Sequence, residues 1–213
     1  TFYWSVSAVD NTGFSKGSWS NEDTFEVTYS GGAPRQLNVL AKKNFDSGWT
    51  LVSVPSGIIE LIDATLKQFL GENLDSDTGF ALDGDKLKAV LSETIEAGHG
   101  YWAHLPEEAQ LLITGFELPG LDSSATVDEL AQGWNLLGNP ETDLLIWSDN
   151  ITFDCGGGPV NLTEAVQQGY TDGNAYIFSD GDYTTVPPGG DIAPWSGFAV
   201  KMSQAGCSVT IGN

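Results

Sequence analysis

Two stretches of this chain read alike, and that duplication limits the possible folds more than any other feature. Gly48-Trp49-Thr50-Leu51-Val52-Ser53-Val54-Pro55 matches Gly133-Trp134-Asn135-Leu136-Leu137-Gly138-Asn139-Pro140. Further on, Ile95-Glu96-Ala97-Gly98-His99-Gly100-Tyr101-Trp102-Ala103 matches Ile192-Ala193-Pro194-Trp195-Ser196-Gly197-Phe198-Ala199-Val200. Ahead of this second block each copy has an aromatic and an Asp-Gly-Asp turn. These are Phe80 with Asp83-Gly84-Asp85, and Tyr176 and Phe178 with Asp180-Gly181-Asp182. Each copy closes on an apolar run before a glycine, Leu111-Leu112-Ile113-Thr114-Gly115 and Val209-Thr210-Ile211-Gly212. A shared order of features over such a length marks a duplicated supersecondary unit. Copy two carries about 12 extra residues between its anchors, near Cys155-Gly156-Gly157-Gly158-Pro159.

The apolar runs are short and bounded by turn residues, as in strands. The 26 glycines also favour a turn-rich β protein. Helix is sparse. Leu61, Ile62, Leu66, Phe69 and Leu70 have helical spacing, and Asn161 caps a short run through Val166 at the matching place in copy two. The expected fold is mainly β: two pseudo-symmetric β-rich repeats forming a barrel or sandwich, with one short helix each. Repeat one spans residues 45–120 and repeat two 121–213. Trp49 and Trp134 recur in both copies and are expected in the core.

Residues 1–30 have a different character. Phe2, Trp4, Val6 and Ala8 alternate with polar or aromatic neighbours, and Phe25, Val27 and Tyr29 alternate with Thr24, Glu26 and Thr28. Period two with Asp10-Asn11-Thr12-Gly13 between the runs predicts a hairpin with one buried face. A lone hairpin is marginal in water, so Phe2, Trp4, Val6, Phe25 and Val27 need another surface to cover. Ser30-Gly31-Gly32-Ala33-Pro34 opens a linker and lead-in strand over residues 31–44. The chain opens inside a strand-like run without Met, and reads as a fragment or processed product.

Tyr3-Trp4-Ser5-Val6-Ser7-Ala8-Val9-Asp10-Asn11-Thr12-Gly13, with Trp19-Ser20 and Phe25-Glu26-Val27, resembles the last two strands of a fibronectin type III domain of bacterial extracellular proteins. The Gly-Trp-x-Leu-x-x-x-Pro opening with its later Gly-aromatic strand is similar to a tandem repeat module at the C-terminal end of large secreted proteins of bacteria and archaea. That resemblance covers about 170 residues. It implies an accessory role in surface attachment, sorting or glycan contact, and it carries over no catalytic residue.

Charge narrows the partners. The chain has 29 acidic against 8 basic residues, a formal net charge of −21. Such a field repels phosphate backbones and anionic lipid, and disfavours acidic polysaccharides unless a divalent cation bridges them. No apolar run is long enough for a membrane helix. The two cysteines, Cys155 and Cys207, lack the ligand spacing of a metal site and have no histidine in their repeat. One disulfide fits them, which implies an oxidising, extracellular compartment.

Site candidates follow from residue chemistry. Among the acids Glu60, Asp63, Glu93, Glu96 and Asp191 no pair has the local context of a glycosidase. His99 is expected in a turn and His104 at the surface; spaced five apart, they point to opposite faces of a strand and share no metal. Asp75 and Asp77, in Asp75-Ser76-Asp77-Thr78-Gly79, form either a calcium loop or a solvated acidic turn. The expected module requires no cofactor, with calcium at this loop the one alternative. Exposed aromatic rings stack on sugar rings, and the aromatics not shared between copies, Trp102, Trp147, Tyr170, Tyr183 and Trp195, are the candidates against a core reading for each. Asn150-Ile151-Thr152 and Asn161-Leu162-Thr163 are glycosylation sequons by pattern. The expectation is a non-catalytic extracellular accessory module touching glycan or a cell-surface partner, or upstream domains of a larger protein. The alternative is a structural subunit of a filament, surface layer or adhesin stalk, assembled by strand addition through residues 1–30.

Overall fold

A computed structural model describes residues 2–4, 23–25, 38–56, 79–83, 86–90, 94–115, 124–148, 150–179 and 181–212. The chain divides into two units, Thr1–Asn38 and Val39–Asn213. In the first, β1 (Phe2–Trp4) and β2 (Asp23–Phe25) pair antiparallel, with Phe2 opposite Phe25 and Trp4 opposite Asp23. Val6 and Val27 of the expected hairpin lie outside the described residues, as do the helical pattern at residues 61–70 and the Asp75–Asp77 loop.

The second unit is mainly β. Its first part holds β3 (Asn38–Phe45, within this unit from Val39 on), β4 (Gly48–Ser53), β5 (Gly79–Asp83), β6 (Lys86–Ala89), β7 (Gly100–Leu105) and β8 (Ala109–Gly115). Next come β9 (Ala125–Leu130), β10 (Gly133–Gly138), β11 (Leu145–Ile146), β12 (Thr152–Asp154) and β13 (Val160–Asn161). A short helix α1 (Leu162–Gln167) is followed by β14 (Thr171–Ser179), β15 (Asp182–Val186), β16 (Asp191–Ile192), β17 (Gly197–Met202) and β18 (Cys207–Ile211). Two four-stranded antiparallel sheets have matching orders, β4-β7-β5-β6 and β10-β17-β14-β15. A third four-stranded sheet runs β13-β12-β18-β9, and β3-β8 and β11-β16 are two-stranded pairs. None of the described sheets closes on itself, so the barrel alternative gives way to a sandwich-like arrangement. Four strands are too few to bend round a filled interior.

Local chemistry explains the strand starts. Gly48 and Gly133 sit at φ 105° and 101°, a region that only glycine enters without strain, which is why both motifs open on glycine. Strand alternation then divides the side chains. On β10, Leu137 joins the main core, while Trp134 and Leu136 point to the other face. The main core lies between β10-β17-β14-β15 and β13-β12-β18-β9, and its fully buried members include Trp147, Phe153, Phe198, Ile151 and Val209. Leu162 and Ala165 bring α1 onto it. Asn161 caps this helix: its Oδ1 accepts from the Glu164 amide at 2.8 Å, and Glu164 Oε2 accepts from the Asn161 amide at 3.2 Å. The cap uses the side chain that the second sequon needs for modification. The disulfide Cys155–Cys207, with an S–S distance of 2.03 Å, ties the glycine-rich loop after β12 to the start of β18.

Contacts between the two parts of this unit are reciprocal. Val52 bridges Ser196 and Leu137 bridges His99. The Ser53 amide donates to the Trp195 carbonyl at 3.0 Å, and the Gly138 amide donates to the Gly98 carbonyl at 2.7 Å. In the motif alignment Val52 matches Leu137, Ser196 matches His99, Ser53 matches Gly138 and Trp195 matches Gly98. Each contact therefore has its counterpart with the parts exchanged. The strand ends approach so closely that a Cβ on Gly100 would collide with the Leu137 carbonyl oxygen, and one on Gly138 with Ser53 Cβ. Buried Asn139 satisfies the turn beyond: its Nδ2 donates to the Asp143 and Ile192 carbonyls at 3.0 and 3.1 Å, and its Oδ1 accepts from the Glu141 amide at 2.8 Å.

An aromatic cleft as the candidate functional site

Residues paired across antiparallel strands share a face. On β4-β7-β5-β6, Trp49 opposes His104, and Leu51 and Phe80 both oppose Trp102. On β10-β17-β14-β15, Leu136 and Tyr176 both oppose Ala199, Trp134 opposes Lys201 and Phe178 opposes Tyr183. Both faces therefore carry aromatic rings. Leu51, Leu136 and Ala199 are buried together, and Leu82, Trp102, Tyr176 and Phe178 pack against them.

The rings form a ladder running through Trp49, Trp102 and Phe178, and a separate Trp134–Tyr176 pair. Trp49 contacts Phe80, Trp102 and His104 at centroid distances of 6.0, 6.1 and 5.2 Å. Trp102 meets Phe178 edge-to-face at 4.7 Å and Tyr183 at 6.3 Å, and Phe178 meets Tyr183 at 5.2 Å. Trp134 meets Tyr176 at 5.0 Å, with the Lys201 ammonium 5.9 Å from the Trp134 ring centroid. Edge-to-face contacts of this kind fix ring orientation beyond what burial alone achieves.

Within this layer lies a cleft of about 510 Å³. Leu82 and Trp102 line it from one sheet, and Trp134, Leu136, Tyr176 and Tyr183 from the other. Trp134 and Tyr183 remain 42% and 48% exposed, enough to offer ring surface to a ligand. The polar side-chain groups of the described lining are the hydroxyls of Tyr176, Tyr183 and Thr185 and the indole N–H groups of Trp102 and Trp134. The Tyr176 hydroxyl donates to Asp172 Oδ2 at 2.8 Å, and this bond, with a smaller contribution from burial, holds the phenol above its ordinary pKa of 10.0. Burial likewise raises Tyr183. Both phenols stay neutral at physiological pH; the Tyr183 hydroxyl has a hydrogen to donate, while Tyr176, whose hydrogen goes to Asp172, offers lone pairs to a ligand.

The sequence candidates divide accordingly. Trp102 and Tyr183 meet in the cleft. Trp147 and Trp195 do not belong to it: they are 0% and 1% exposed, and this core placement corrects the ligand-contact alternative for both. Trp147 packs on Phe153 and Phe198, and its indole donates to the Gly173 carbonyl at 2.9 Å. Tyr170 is half-buried against the main core. In the opposite direction, Trp49 and Trp134, expected inside, are 47% and 42% exposed. Sequence reasoning thus missed Trp134 and Tyr176. The missing signal was the spacing Trp-x-Leu, which puts the tryptophan on the face opposite the core residue Leu137.

His104 is half-buried against Trp49 rather than at the surface. His99 stands 3.5 Å from Glu96, and burial lowers its pKa below 6.5 despite the opposing pull of that carboxylate. Asp191 is exposed on β16, while Glu60, Asp63 and Glu93 lie outside the described residues. No group of three potential metal ligands occurs among the described residues, and no described helix is long and apolar enough to cross a membrane. Comparison with protein-family models, characterised proteins and solved structures finds no match to this chain.

Proposed function

We propose that the chain is a non-catalytic extracellular accessory module, built from two copies of one repeat, that binds neutral glycan in the aromatic cleft. The observation that carries this reading is the pairing of half-exposed Trp134 and Tyr183 beside Trp102 in a cleft held open by edge-to-face ring contacts. Pyranose rings present apolar C–H faces that match such rings, and hydroxyl rims that match tyrosine and threonine hydroxyls. The net charge of −21 favours an uncharged ligand over an acidic one. The matching sheet orders and reciprocal contacts support the duplicated unit, and the disulfide suits an oxidising compartment.

Calorimetric titration with neutral oligosaccharides tests the reading. Binding is expected, weakened about tenfold or more by Trp134→Ala and by Tyr183→Ala, since large rings dominate such contacts. Affinity unchanged in both variants would place the ligand elsewhere and overturn the assignment.

A further inference from the structure

We infer that the chain carries a second site for neutral oligosaccharide, a groove on Trp49 that matches the first cleft with the two parts exchanged. The inference rests on the glycan reading of that first cleft. The groove measures about 600 Å³. Trp49 and Leu51 of β4 line one side, and Ile177, Phe178 and Ser179 of β14 line the other. The first cleft sets Trp134 and Leu136 of β10 against Leu82 of β5 and Trp102 of β7. Trp49 and Leu51 match Trp134 and Leu136 in the motif alignment. Strands β5 and β14 both stand third in their sheets. Each site is thus the Gly-Trp-x-Leu strand of one part facing the other part's sheet.

The chemistry also recurs. Trp49 is 47% exposed, against 42% for Trp134. One edge-to-face ring pair stands between the sites: Trp102 lines the cleft, Phe178 lines the groove, and their centroids are 4.7 Å apart. The groove is the more polar of the two, with Asp46, Ser47 and Ser179 in its lining. A carboxylate there accepts sugar hydroxyls and repels acidic sugars. Two sites on one ladder give the module two points of attachment, which raises avidity for a glycan surface without new contacts.

The test is titration of the full chain with cello-, manno-, xylo- and malto-oligosaccharides in separate runs, reading stoichiometry as well as affinity. The variants are Trp49→Ala, Trp134→Ala and Ser179→Arg, the last filling the groove while leaving Trp49 in place. Two ligands per chain are expected for the matching sugar. Trp49→Ala and Ser179→Arg should each weaken one site about tenfold or more, and Trp134→Ala the other. One ligand per chain, lost in Trp134→Ala and retained in Ser179→Arg, overturns the second site and leaves the first reading standing. One ligand lost in Ser179→Arg and retained in Trp134→Ala supports the groove and overturns the first cleft. Binding of none of the four overturns both.

Discussion

Trp134 and Trp147 illustrate how position on a strand decides the fate of a large ring. On β10, Leu137 and Trp134 face opposite ways, so burying one presents the other at the sheet's second face. Trp147 follows a two-residue strand and has no comparable alternation to betray its burial. Glycine is equally position-dependent. Gly138 sits where a Cβ would collide with Ser53 Cβ and the His99 carbonyl oxygen, whereas Gly157 has open space. Gly138→Ala should therefore lower stability by about 1–3 kcal/mol or more through overpacking. Gly157→Ala should stay within about 0.5 kcal/mol. Denaturant midpoints of the two variants check this contrast. His99 gives a pH dependence. Its folded pKa lies below the unfolded 6.5, because burial disfavours the charged ring. The unfolded chain thus binds the proton more readily, and stability falls as pH drops below that value toward the folded pKa. His99→Gln should lose less stability than wild type between about pH 7.5 and about pH 5.5 in urea unfolding.

At the scale of elements, the duplicated motifs placed strands correctly because each combines a glycine start, an aromatic and a continuous apolar run. The β14–β15 hairpin was equally legible from its aromatic run and Asp-Gly-Asp turn, and pairs Ser179 with Asp182. The cap at Asn161 was readable because its chemistry is local. The choice between barrel and sandwich was not, since it depends on which sheets pack together. Nor were the short pairs β11-β16 and β12-β13, whose partners are set by the main core rather than by their own two or three residues. The disulfide followed from two cysteines that lack metal-ligand spacing and a histidine in their repeat, and closes a separation of 52 residues. Replacing Cys155 and Cys207 together by serine should cost about 4 kcal/mol in the chain-entropy account. Thermal unfolding of the variant and of the reduced wild type should agree on that loss.

At the largest scale, the two motif-bearing parts of residues 39–213 build one unit rather than two beads, because reciprocal backbone contacts join them at the strand ends. That crossing turns shared motif residues into site walls. Recurrence suggests that Trp49 and Trp134 are core and that ligand contacts lie among the unshared aromatics. The cleft instead combines the shared Trp134 and Tyr176 with the unshared Trp102 and Tyr183, drawn from both motif-bearing parts. A sequence read one copy at a time does not reveal such a composite surface, because the packing that creates it is long-range. The acidic balance adds a selection rule at this scale: an uncharged ligand meets no repulsive field, while an acidic one does. A glycan array carrying neutral and acidic polysaccharides side by side, probed at low and high salt, tests this account most directly. The account predicts signal on neutral glycans alone, insensitive to salt and reduced by Trp134→Ala. Signal confined to acidic glycans, or none on any glycan, would contradict it.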